Sequence, residues 1–153
     1  MVMTHARALL AGNGVSAVEG DLADPAAILR DPGVRNLIRL EEPVGLILAM
    51  VLHFFDADTA RGITGTFTHA VAPGSYMVIS VGSGDEGTGG LLAKEYAAST
   101  LYNHTPERIA GFLDGLELVG PGLTDARDWG PQPRAVPQDH CGGRILAGIG
   151  RKS

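Results

Sequence analysis

Cysteine is nearly absent: Cys141 stands alone in 153 residues. A single thiol excludes any disulfide within the chain, and a reducing cytoplasm is the expected compartment. Cys141 precedes Gly142 and Gly143 and reads as a small residue entering a strand rather than a reactive thiol. Basic residues are few, 12 Lys and Arg against 17 Asp and Glu, for a formal net charge of -5. They form no run, so neither nucleic acid nor an anionic membrane surface is an expected partner. No apolar stretch reaches the roughly 18 residues of a membrane span. The N-terminus, "MVMTHARALLAG", lacks the basic start and long apolar stretch of a signal peptide. His5, His53, His69, His104 and His140 have no H-E-x-x-H or C-x-x-C partners, so no metal site is expected. A G-x-S-x-G nucleophile elbow is also missing.

What is present suits one globular domain over residues 1–153: 44% hydrophobic residues, 22 glycines and only 5% aromatics. This is the look of an α/β protein with tight turns. Met1 to Leu10 is helical in pattern. "VSAVEGDL" reads as a short strand. Asp24-Pro25 and Asp31-Pro32 are N-cap and first-turn pairs, predicting two short helices. "PVGLILAMVLHFF" is apolar without alternation, which predicts a central strand buried on both faces. Asp56 and Asp58 cap a helix through "TARGITGTFTHAV", and "SYMVISV" is a second buried strand. "GLLAKEYAASTLYN" reads as a helix, and Thr105-Pro106 starts another that stops near Gly115. "LELV" and "RILAGIG" are the last strands, with a long Pro- and Gly-rich loop between them. Alternating strands and helices predict a mostly parallel sheet with an antiparallel pair at its C-terminal edge.

Gly82, Gly84 and Gly87 spell G-x-G-x-x-G, the pattern of a dinucleotide-binding turn. Ser83, Asp85 and Glu86 fill the gaps, and two carboxylates repel a phosphate. The motif also falls past mid-chain, where the first strand of such a unit does not belong. It reads as a loop at a strand's carboxyl end, not a phosphate site.

Two other strand ends carry chemistry. In "EGDLADP", Asp21 sits where a carboxylate accepts a hydrogen bond from a purine amino group, with Leu22 beside the ring. The plainer alternative is that Asp21 and Asp24 only cap the next turn. In "AMVLHFFDAD", His53 ends a strand with a side chain that titrates near neutrality. General base, ligand-orienting group and structural histidine all remain open.

"EGDLADP", "PVGLILAMVLHFF" and "APGSYMVIS" together resemble the second half of a class I S-adenosylmethionine-dependent methyltransferase. The likeness is greatest to an actinobacterial methyltransferase-like family long known as a domain of unknown function. "THARALLAG", "VLHFF" and "FLDGLELVGPGL" also look like that family, and the resemblance runs from Thr4 to Arg151. It implies an incomplete Rossmann-like sheet of order 3-2-1-4-5-7-6 with the last strand antiparallel. It implies S-adenosylmethionine as cofactor and a small molecule as methyl acceptor. Asp21 and Leu22 then meet the adenine, Ala49 and Met50 face the methionine portion, and His53 lies near cofactor and substrate.

The Gly-rich loop after strand one and the ribose-binding acid after strand two, which the resemblance leads one to expect, are not found. A truncated product, or a start assigned too late at Met1 or Met3, is the first explanation. Half of a split protein and a stand-alone remnant are the others. The expectation is therefore an impaired or inactive methyltransferase that binds its cofactor weakly. The alternative is a non-catalytic binding or oligomerising remnant that self-associates through open sheet edges.

Overall fold

The computed structural model describes residues 14–84, 100–130 and 143–153. The expected helix over Met1 to Leu10, most of the helix expected after Gly90, Gly87 and Cys141 lie outside them.

Helices start where their caps predict. The Asp24 carboxylate accepts from the Ala27 amide at 2.9 Å and opens α1 (Pro25–Arg30). Asp31 accepts from Gly33 at 2.7 Å and opens α2 (Pro32–Arg35). Proline in the first turn forfeits no helix bond. Asp56 opens α3 (Ala57–Ala70), which buries Ala60, Ile63, Thr64, Phe67 and Thr68. That spacing is one stripe of a helix facing a core. At the far end Lys152 closes α3: its Nζ donates to the carbonyls of Thr68, His69 and Val71 at 2.9, 3.3 and 2.8 Å. Thr105 caps α4 (Pro106–Gly111).

The sheet contains β1 (Gly45–Ala49), β2 (Tyr76–Gly84), β3 (Glu117–Leu118), β4 (Thr124–Asp125) and β5 (Gly143–Arg151). Its order is β1-β2-β5-β3, with β4 also paired to β5. β1 and β2 run parallel, from Gly45 opposite Tyr76 to Ala49 opposite Ser80. β5 is antiparallel to β2, β3 and β4. The 4-5-7-6 portion of the order implied by the resemblance is therefore present. One face of this sheet packs Leu48, Met77, Ile79, Val81 and Leu146 against α3, with Ile109, Phe112 and Leu113 completing the core. Gly148 and Gly150 allow that closeness. A Cβ on Gly150 would lie 2.6 Å from Leu116 Cβ, and one on Gly148 2.8 Å from Leu113 Cδ1.

Several expectations are corrected. The sheet is mixed rather than mostly parallel, with one parallel pair among the described residues. "VSAVEGDL" is not a strand: residues 15–20 have no ladder partner among the described residues and are irregular. "PVGLILAMVLHFF" is not a central strand either. Only Gly45–Ala49 pairs, on one side among the described residues, and Ile47 is 71% exposed. β2 runs on to Gly84, so Gly82 and Gly84 are strand residues opposite Ile145 and Gly143. The long loop expected after Val119 contains β4 and a 3₁₀ turn, Ala126–Trp129. Residues 100–103, expected as the end of a helix, are not helical.

Candidate functional site

β1 ends at Ala49, and the chain then turns away sharply. Met50 adopts φ +54°, the left-handed region, and is the one non-glycine residue to do so among the described residues. Such a conformation crowds Cβ against the backbone and persists only where neighbours impose it. Here the Met50 amide donates to the Ser80 carbonyl at 2.9 Å and to the Ser80 hydroxyl at 3.1 Å. The Met50 side chain reaches over Gly82, its Cε 4.0 Å from where a Cβ on that glycine would stand. Met50 is 39% exposed. The outcome is a backbone turn at the carboxyl edge of the parallel pair, with Ala49 and Met50 open to solvent.

A 3₁₀ turn, Leu52–Phe54, follows at once. Leu52 is fully buried and anchors it in the core. His53 is half-buried, its ring 4.6 Å from that of Phe54 at 43°. Its Nδ1 is enclosed and has no hydrogen-bond partner among the described residues. Burial, and then the nearby His104, lower its pKa below the usual histidine value, so His53 is neutral at pH 7. An enclosed nitrogen without an acceptor is better left unprotonated. A proton on Nε2 would leave His53 a hydrogen-bond donor through that atom.

The loop before α4 closes over this turn. The Tyr102 amide donates to the His53 carbonyl at 2.8 Å. His104, 2% exposed, brings Nε2 to 3.1 Å from the Phe55 carbonyl and sets its ring edge-on to Phe112 at 5.2 Å. The Ser83 hydroxyl donates to the His104 carbonyl at 3.1 Å. Sequence reasoning missed His104 as a site element. It weighed that histidine only as a metal ligand, and no local pattern announces a buried ring held by a distant carbonyl. Among the described residues no three His, Cys, Asp or Glu side chains converge as a metal site. No helix among them is long and apolar enough to cross a membrane.

Asp21 and Leu22 belong to a separate turn. The Asp21 carboxylate is exposed and accepts from the Ala23 amide at 2.9 Å. Asp21 and Asp24 therefore both make turn bonds, as the plainer alternative held, and Asp21 retains an oxygen with acceptor capacity. Leu22 is half-buried against the same core cluster that Val51 and Phe55 join. The structure thus brings Ala49, Met50 and His53 into one edge. It joins Leu22 to them only through the core. A cleft of about 490 Å³ opens just beyond, between the first turn of α3 and α4, and holds none of these five residues. Asp56, Arg61, Glu107 and Arg108 line it.

The described residues thus form an α/β fold with a mixed sheet whose parallel pair has an open carboxyl edge. A family model described as S-adenosyl methyltransferase matches residues 1–153. The chain belongs to that S-adenosyl methyltransferase family. A candidate methyltransferase from Thermobifida fusca is similar at 34% identity and TM-score 0.82, over 99% of this chain and 59% of its own. A DUF574-family protein from Streptomyces avermitilis is similar at 30% identity and TM-score 0.83, over 99% and 62%. The chain therefore spans about six-tenths of the length of these relatives. An N-methyltransferase, NodS of Bradyrhizobium japonicum, in complex with S-adenosylhomocysteine shares the fold alone, at 13% identity and TM-score 0.53 over 96% and 59%. No curated protein matches the chain.

Proposed function

We propose that these residues form the adenine and methionine side of an S-adenosylmethionine cleft, in a methyltransferase whose acceptor is a small molecule. The observation that carries this reading is the left-handed Met50 at the open end of β1, in a chain of the methyltransferase family. Backbone strain of this kind gathers at ligand sites, and ligands of open α/β sheets bind beyond the carboxyl ends of strands. NodS, which shares the fold, is seen with S-adenosylhomocysteine.

The donor set fits the group. Asp21 offers an exposed carboxylate to the adenine amino group, and Leu22 an apolar neighbour for the ring. Ala49 and Met50 offer an accessible edge to the methionine portion. When bound, S-adenosylmethionine supplies a methyl group on a sulfonium leaving group. The chain's task is then to hold and orient, and proximity carries most of the rate. Neutral His53 donates from Nε2 to orient the acceptor. A base role would require the opposite tautomer, with the enclosed Nδ1 protonated and without a partner among the described residues.

The isolated chain is proposed to bind weakly. Among the described residues no Gly-rich turn or ribose acid of the expected kind stands ready to grip the cofactor's other side. Each charge-assisted bond forgone is worth roughly 1.5–3 kcal/mol, and a deficit of about 4 kcal/mol weakens a dissociation constant roughly a thousandfold. A second reading, a self-associating protein without catalysis, has one observation in its favour. β1 has a single neighbour among the described residues, and Ile47 on it is 71% exposed. Sedimentation with and without S-adenosylhomocysteine separates the two. A monomer whose stability rises with the ligand supports the first reading. A dimer indifferent to the ligand supports the second.

A further inference from the structure

Three separate segments meet behind His53. Leu52, with no exposed surface, fixes the start of the turn in the core. The Tyr102 amide holds the His53 carbonyl at 2.8 Å. One residue pair on, His104 Nε2 holds the Phe55 carbonyl at 3.1 Å. The His104 carbonyl is in turn held by Ser83 near the end of β2. The turn carrying His53 is therefore bound at that residue's carbonyl and again two residues on to a single loop, and the loop is bound to the sheet. An apolar side chain would fill the space beside Phe112 as well as an imidazole does. What imidazole adds is a donor at Nε2, directed at a carbonyl two residues from His53.

We infer that His104 is a positioning residue, which clamps the Leu52–Phe55 turn and so fixes where His53 points at the carboxyl edge of β1. The proposal rests on the reading of that edge as the cofactor and acceptor side. The charged and titratable groups around His104 are Arg108, Asp56 and His53. Of these, only His53 belongs to the clamped turn. Glutamine offers a side-chain amide as the replacement donor. Leucine retains the packing and loses the donor.

The test is amide exchange at Tyr102, together with NMR titration of the His53 ring, in the full 153-residue chain. Wild type, His104→Gln and His104→Leu are compared. A clamp predicts that Tyr102 exchange accelerates about tenfold or more in His104→Leu and stays within about threefold of wild type in His104→Gln. The His53 midpoint should rise in both variants, since each removes the charge of His104, and further in His104→Leu, where the ring also gains solvent. Equal midpoints in the two variants, with Tyr102 protected in both, would overturn the proposal. Should His104→Leu not fold, Ser83→Ala is read instead: it cuts only the tie to β2, and unchanged Tyr102 exchange there overturns the clamp. These readouts need no cofactor. A failure here leaves the cofactor reading standing, and a chain that binds no cofactor leaves this result intact.

Discussion

The Met50 amide donates to two oxygens of one residue, the carbonyl and the hydroxyl of Ser80, at 2.9 and 3.1 Å. That pair of contacts ties the end of β1 to β2 at the point where the backbone turns left-handed. An unbranched side chain tolerates this turn better than a β-branched one.

Met50→Val should therefore destabilise the chain by about 1–2 kcal/mol. Met50→Gly removes the strain and some packing, and should stay within about 1 kcal/mol of wild type. Urea denaturation measures both. Equal stability of the two variants would show that the turn stores no strain.

Lys152 closes α3 by donating to three carbonyls at its C-terminal end. Lys152→Met keeps the apolar stem and removes the charge, leaving those carbonyls to water. A loss of about 2 kcal/mol is expected, in the range for charged hydrogen bonds at a helix end. An unchanged denaturation midpoint would count against the cap.

Acid should weaken the fold as pH falls below about 6.5. Burial lowers the pKa of both His53 and His104 relative to the unfolded chain. Below the unfolded value of 6.5 the unfolded chain takes up protons first, so stability is full above that pH and falls as pH drops. His104→Gln removes one of these groups and should flatten the slope. A stability curve level from pH 7 to 5 in wild type would contradict this.

Arg127 grips the Asp125 carboxylate through Nε at 2.8 Å and a terminal nitrogen at 2.7 Å, holding its pKa at about 2. A depressed carboxylate contributes stability above its unfolded value of 3.8, which is lost as pH falls toward about 2. Asp125→Asn should cost at most about 1 kcal/mol at pH 7, since the pair lies near the surface. The difference from wild type should shrink at pH 3. A constant difference would assign the effect to packing.

Local chemistry was the legible part of this sequence. The Asp-Pro pairs, Thr105-Pro106 and the Asp56 cap each act through a backbone amide two or three residues away, so their helices could be read directly. Strand positions depended on neighbours. Among the described residues, 15–20 have strand composition and no strand to pair with, and 45–49 have a central strand's composition at an edge. The candidate site divides the same way. Met50 and His53 follow from the end of an apolar run, whereas the contacts of His104 join positions 49 and 21 residues apart. No spacing rule in a single sequence anticipates them.

The central claim is that Asp21, Leu22, Ala49, Met50 and His53 form one side of a cofactor cleft. Titration of the isotope-labelled chain with S-adenosylhomocysteine, followed residue by residue by NMR, tests it most directly. The account predicts shifts concentrated at these five residues, saturating at millimolar ligand. Micromolar binding would contradict the proposed weakness of a one-sided site. Shifts confined to the cleft of Arg61 and Arg108, or none at all, would contradict the site itself.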